Sequence, residues 1–283
     1  MKLVFTMTAG RTGTAYLAEL FRRNDPDALV AHEFLDWRAF GTRTPEVSHL
    51  TRFNNVGFDD YVQAFWATKL GEILETGADC YVETSHVLMK AGLVEALTRL
   101  EGDHEIHLIA QQRDRVATML SYRQRNDFMN IGNRYLWYLD PKYALNLVQH
   151  RPFLEAGPPG IRLWYLLEIE ARTAFYTGRL AGDSRFTVHA TQLEEVTTEA
   201  GAASLLGRVM GHEGPIDLPP KVNAGGSDHD PEARLQVAEL ANRVSTFDAA
   251  ALVGPLVQIG RDPFAPPTPP PHQVHAPGVP DPA

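Results

Sequence analysis

Cysteine is nearly absent: Cys80 is the one thiol in 283 residues. A single cysteine excludes an intramolecular disulfide and a zinc centre built on several thiolates, and Cys80, beside Tyr81 and Val82, reads as a small buried hydrophobe. Long apolar runs are missing as well. No stretch approaches the roughly 18–20 residues that a membrane span requires, and no secretory leader is expected ahead of the first strand. An excess of positive charge is the third lack. Lys and Arg number 26 against 35 Asp and Glu, a formal charge of -9 at pH 7 with a pI near 5.6. That balance argues against a nucleic-acid partner gripped along its phosphate backbone, yet it leaves room for a local basic pocket around a small anion. A soluble, cytoplasmic protein is the expectation.

Apolar residues make up 44% of the chain, enough for the core of one large α/β domain or two small ones. The stretch VFTMTAGRTGTAYLAELF, residues 4–21, reads as a strand, a tight turn from Ala9 through Gly10, Arg11, Thr12 and Gly13 to Thr14, and a helix with apolar residues at helical spacing. Further strands are expected at 28–31, 80–82, 106–110 and 185–189, and helices at 58–74, 91–100, 116–122, 161–176 and 205–210. Residues 34–55 read as a polar, aromatic-rich connection. Strands alternating with helices predict a parallel sheet flanked by helices on both faces, and such sheets bind ligands beyond the carboxyl ends of their strands. The chemically interesting residues fall at those ends: Arg11 to Thr14, His32 with Glu33, Glu83 to His86, and Arg113 with Asp114. There is no internal repeat. From Pro263 the sequence PFAPPTPPPHQVHAPGVPDPA lacks apolar periodicity, which predicts a domain over 1–262 and a disordered proline-rich tail over 263–283.

A strand–turn–helix aims free amides and the positive end of a helix at one point, where an anion would sit. Arg11 adds a full positive charge there. A triphosphate loop requires Gly, four residues, then Gly-Lys-Ser/Thr. Counting from Gly10, Ala15 stands where the second glycine should be, and the turn has no lysine. No strand ends in an aspartate for magnesium; Glu83, followed by Thr84, Ser85 and His86, is the nearest approach. A magnesium-dependent phosphotransferase is disfavoured. An ATP-dependent phosphotransferase and a nucleotide-binding module without catalysis stay as rival readings.

Arg11-Thr12-Gly13-Thr14 resembles the 5′-phosphosulfate loop of the sulfotransferase family, Lys/Arg-x-Gly-Thr/Ser between the first strand and first helix. Gln112-Arg113-Asp114-Arg115-Val116-Ala117-Thr118-Met119-Leu120-Ser121 resembles that family's 3′-phosphate loop, a strand-end Arg with a Ser eight positions later; Arg115 stands where proline is usual. RFTVHATQLEEV is similar to the family's late strand and acidic element, and LPPKVNAGG to its basic loop over the nucleotide. The resemblance covers roughly residues 1–260, firmly only at the two loops.

It implies a nucleotide-kinase-like, P-loop-like sheet and a metal-free transfer from 3′-phosphoadenosine 5′-phosphosulfate (PAPS) to a hydroxyl on a small molecule or carbohydrate. It further implies that Arg11, Thr12, Gly13 and Thr14 hold the 5′-phosphosulfate, that Arg113 and Ser121 clamp the 3′-phosphate, and that Lys221 and Asn223 touch the nucleotide. A general base must take the acceptor proton. Glu33, after the second strand, is the first choice; His86 and His32 follow in that order. The aromatic segment 130–143 is the candidate acceptor wall.

Overall fold

The computed structural model describes residues 1–33, 43–129, 137–220 and 230–266. Within them five strands form one parallel sheet: β1 (Lys2–Thr8), β2 (Leu29–His32), β3 (Cys80–Thr84), β4 (Glu105–Gln112) and β5 (Phe186–Gln192), in the order β2-β3-β1-β4-β5. All five strands coincide with the apolar stretches read from the sequence.

Alternation along β1 sorts its side chains between two cores. Leu3, Phe5 and Met7 belong to the larger one, with Ile106 and Leu108 of β4 and much of the long helix Gly157–Leu180. Val4 and Ile109 face the other way, onto α1 (Thr14–Asn24) and the helix Glu199–Met210. Two apolar faces on a central strand are what a sheet buried between helix layers demands. The helix after β1 therefore lies on one face, and α2 (Arg115–Gln124), which follows β4, lies on the other, packed against Gly157–Leu180. Adjacent strands whose helices depart to opposite faces leave a crevice at their carboxyl ends.

Among the described residues, three helices of ten or more residues were not anticipated. Val47–Val56 buries only His49, Leu50, Phe53 and Asn54, so its apolar stripe is too thin to show in a polar region; Glu46 and His49 close a capping box at its start. Pro231–Asn242 buries only Ala233 and Val237, and Ala249–Gln258 contains Pro255, which reads as a breaker.

The packed unit also runs past the expected boundary at 262. Phe264 is fully buried, stacked on Phe53 at 5.3 Å and under the Arg172 guanidinium at 4.8 Å. Its carbonyl accepts from Phe58 N at 2.9 Å, beside Gly57, where a Cβ would stand 2.6 Å from that oxygen. The composition of the proline-rich segment hid one anchoring aromatic.

Cys80 is half-buried, its Sγ 4.0 Å from Met210 Sδ, as a small packing residue. On the smaller face, His107 of β4 and His189 of β5 are both buried and share a hydrogen bond of 2.8 Å from Nδ1 to Nε2, while His107 Nε2 meets Glu105 Oε1 at 2.7 Å. Among the described residues no helix is long and apolar enough to cross a membrane.

Candidate active site

The turn after β1 is built from inside. Thr8 Oγ1 donates to Gln111 O at 2.5 Å and lies 2.6 Å from Thr12 Oγ1, which donates to Ala9 O at 2.7 Å. Gln111 Nε2 donates to Thr12 O at 3.1 Å, and the buried Tyr122 hydroxyl donates to Gly10 O at 2.6 Å. The Thr12 hydroxyl is thus spent inside the loop, and what Thr12 can offer a ligand is its amide. Gly13 takes φ +92, and a Cβ there would stand 2.4 Å from Leu193 Cδ1, so the loop accepts only glycine at that point.

Arg11 and Gly13 are both left-handed, at φ 68 and 92, which turns successive amides toward a common centre at the start of α1. Among the described residues no group accepts from the N–H of Thr12, Gly13 or Thr14, and the Thr14 hydroxyl has no partner. Three amides, a hydroxyl, the helix end and the Arg11 charge make an anion cradle.

The second loop meets the first at Arg11. Arg11 Nε donates to Ser121 Oγ at 3.0 Å, and Arg113 Nη1 donates to Arg11 O at 3.1 Å. Asp114 caps α2 by accepting from Ala117 N at 2.8 Å, which fixes where Arg113 leaves the strand. Arg113 Nε lies 4.0 Å from Glu194, in the turn after β5, whose Oε1 accepts from Asp114 N at 3.4 Å. Arg115, the departure from the family pattern, forms a two-pronged pair with Glu170 at 2.9 and 2.5 Å. It ties α2 to the long helix, a job proline could not do.

The three candidate bases also converge. Glu33 follows β2 and carries φ +35. Its Oε1 lies 3.7 Å from His86 Nε2, and its Oε2 lies 3.9 Å from His32 Nε2. His86 packs against Gly10, where a Cβ would come within 3.2 Å of the imidazole, so this group abuts the anion cradle. Among the described residues only Arg11, Glu33 and Asn126 have positive φ without being glycine. Asparagine tolerates that region, whereas for arginine and glutamate it costs on the order of 1–3 kcal/mol each. Both strained residues are therefore in the cleft, where the surrounding structure holds them against their preference.

Burial and the nearby charges of Lys90, His32 and Arg11 push the His86 pKa well below that of a free imidazole. Lys90, fully buried and four residues on, is held well below the usual lysine range by its own burial. Glu83 is elsewhere engaged: it is buried in a 2.7 Å ion pair with Lys69 and accepts from Tyr81 Oη at 2.8 Å. It cannot serve as the strand-end carboxylate of a magnesium site without breaking that pair. Among the described residues no group of three or more His, Cys, Asp or Glu is arranged to hold a metal ion.

Arg11, Thr12, Gly13, Thr14, Arg113 and Ser121 thus surround one cleft with His32, Glu33 and His86. Lys221 and Asn223 lie outside the described residues, as does 130–136 of the aromatic segment. The rest of that segment is largely core: Tyr138 is buried against Phe128 at 4.3 Å and Tyr165 at 5.3 Å, although it and Trp137 border the His86 ring at 5.7 and 6.1 Å. Sequence reading missed Lys90 and Tyr122, and placed Glu194 only within the acidic element. Lys90 had one signal, a lysine one helical turn after a candidate base; Tyr122 had none beyond adjacency to the second loop.

No family model matches the chain, and no curated protein does. Among solved structures it is similar to a sulfotransferase from Alicyclobacillus acidocaldarius, at 15% identity and a TM-score of 0.47, over 90% of this chain and 95% of that one. That likeness is too distant to carry an argument about activity.

Proposed function

We propose that the chain is a sulfotransferase that moves a sulfuryl group from PAPS to a hydroxyl of a small molecule or carbohydrate. One observation carries the reading: Arg11 is bonded to both partners of the second loop, Ser121 by side chain and Arg113 by backbone. Two strand-end loops that separately resemble phosphate-binding motifs share one arginine. A ligand with anionic groups at both its 5′ and 3′ positions is the chemistry such a doubled cradle suits. A nucleoside diphosphate, lacking the 3′ group, would leave Arg113 and Ser121 unused.

In this reading the amides of Thr12, Gly13 and Thr14 and the Thr14 hydroxyl hold the 5′-phosphosulfate. Arg113 and Ser121 take the 3′-phosphate, and Lys221 and Asn223, outside the described residues, are assigned to the nucleotide by the resemblance alone. The acceptor oxygen forms its bond to sulfur as the bond from sulfur to the bridging oxygen breaks in line. That bridging oxygen leaves with the electron pair as the 5′-phosphate of the bisphosphate product. Arg11 stabilises the charge that gathers there, fixed in place before the reaction and so without reorganisation. The acceptor proton passes to Glu33.

A thermal-shift panel tests it. The desulfated product, 3′-phosphoadenosine 5′-phosphate, is expected to raise the melting temperature without magnesium, and more than ADP does, since a ligand that binds only the native state stabilises by mass action. Equal shifts for the two nucleotides, or a strict need for metal, would overturn the reading.

A further inference from the structure

Lys90 lies in the single turn Leu88–Ala91 after β3, with no exposed surface. Its Nζ meets three groups: His86 Nδ1 at 3.1 Å, the Tyr165 hydroxyl at 2.8 Å, and the Trp137 carbonyl oxygen. The carbonyl can only accept. Burial opposes the charged form of Lys90, as does Arg172, whereas the Glu33 carboxylate favours it. In that charged form Lys90 has three donors and no acceptor, so each partner takes one proton. Opposite a charged Lys90, Nδ1 can only accept, and the neutral His86 ring then keeps its hydrogen on Nε2, the atom 3.7 Å from Glu33 Oε1.

His32 is fixed in the opposite sense. Its Nδ1 lies 2.8 Å from Thr84 O, which can only accept, and 3.1 Å from Thr84 Oγ1, whose own proton goes to Thr14 O at 2.9 Å. The proton of the neutral ring is therefore on Nδ1, and the bare Nε2 turns toward Glu33 Oε2. The carboxylate stands between a ring that presents N–H and a ring that presents a lone pair.

We propose that Lys90 stays charged in this pocket and is a positioning residue that holds His86 as the Nε2–H tautomer, making His86 a fixed donor toward Glu33 and barring it from acting as the proton acceptor. The role of Glu33 as base rests on the reading above; the tautomer does not. Among the described residues, the charged and titratable groups around His86 are Lys90, Glu33, His32, Arg11 and Tyr138, with the Trp137 ring beside them. Burial first, and then Lys90, His32 and Arg11, favour the neutral ring.

The experiment is long-range nitrogen–proton NMR of the histidine rings in the full chain without nucleotide, with His86→Gln assigning the signal. Wild type is expected to show a protonated Nε2 and a bare Nδ1 at His86 at neutral pH. A protonated Nδ1 overturns the proposal, and this needs no variant to fold. Lys90→Met is expected to release the ring into an average of both tautomers, and Lys90→Arg, which keeps a charged donor, to retain the fixed one. An unchanged tautomer in a folded Lys90→Met also overturns it, since Lys90 would then be only packing. Failure of the sulfotransferase reading would appear in the nucleotide panel and leave the NMR result untouched.

Discussion

Arg11 Nε donates to Ser121 Oγ at 3.0 Å, across 110 residues of sequence. Arg11 stands on the turn after β1 and Ser121 on the helix after β4, and parallel pairing of β1 with β4 from Lys2–Glu105 to Thr8–Gln111 brings those two segments side by side. The bond is specific in direction, since Nε is only a donor. It leaves the terminal nitrogens of Arg11 to the cleft. Two loops whose individual motifs are weak become one site through it.

Arg113→Ala is expected to weaken binding of 3′-phosphoadenosine 5′-phosphate by about 1.5–3 kcal/mol, the range for hydrogen bonds to charged groups. Discrimination against ADP should vanish with it. Titration calorimetry of wild type and variant with both nucleotides checks this. A variant that still prefers the 3′-phosphorylated ligand as strongly as wild type would mean that Arg113 does not touch the 3′ group.

Glu33→Gln keeps shape and loses the capacity to accept a proton. Donor affinity should survive, because the two loops hold the nucleotide, while turnover of an acceptor should drop by roughly a hundredfold or more. Sulfate transfer measured beside nucleotide affinity separates the two. The opposite pattern, with Glu33→Gln active and His86→Gln inactive, would return the base to the histidine.

Phe264→Ala should cost about 3–5 kcal/mol of stability, as expected for emptying a well-packed aromatic site. Truncation after residue 266 should leave the melting temperature close to that of the full chain, and truncation before 263 should lower it as the Phe264→Ala change does. Equal melting temperatures for the two truncations would show that the ring is dispensable.

His189 is held down to about 4 by burial first, then by His107, Arg208 and Lys2. Between that value and the 6.5 of an unfolded histidine the unfolded chain binds more protons than the native one, so stability rises with pH through this window and is lost as pH falls through it. The full change is about 3 kcal/mol at most. Chemical denaturation at pH 4.5 and 7 measures it, and a His189→Gln variant should show a flatter dependence. The same slope in that variant would assign the effect to other groups.

The sequence alone determined the five strands, their parallel arrangement and the residues at their carboxyl ends, because apolar periodicity and strand–helix alternation are local properties. It also brought forward the two loops, since a turn with glycine and arginine between a strand and a helix is legible residue by residue. Tertiary structure decided the rest. The thin stripe of Val47–Val56 and the single buried Phe264 acquire meaning only from what they pack against. The pairing of Glu83 with Lys69, which occupies the strand-end carboxylate, joins two residues from different elements. Glu33, His32 and His86 could be ranked from the sequence but not told apart. What separates the two histidines is which nitrogen faces Lys90 or the Thr84 carbonyl, and a proton's place on a ring depends on the geometry of its neighbours rather than on the order of residues along the chain.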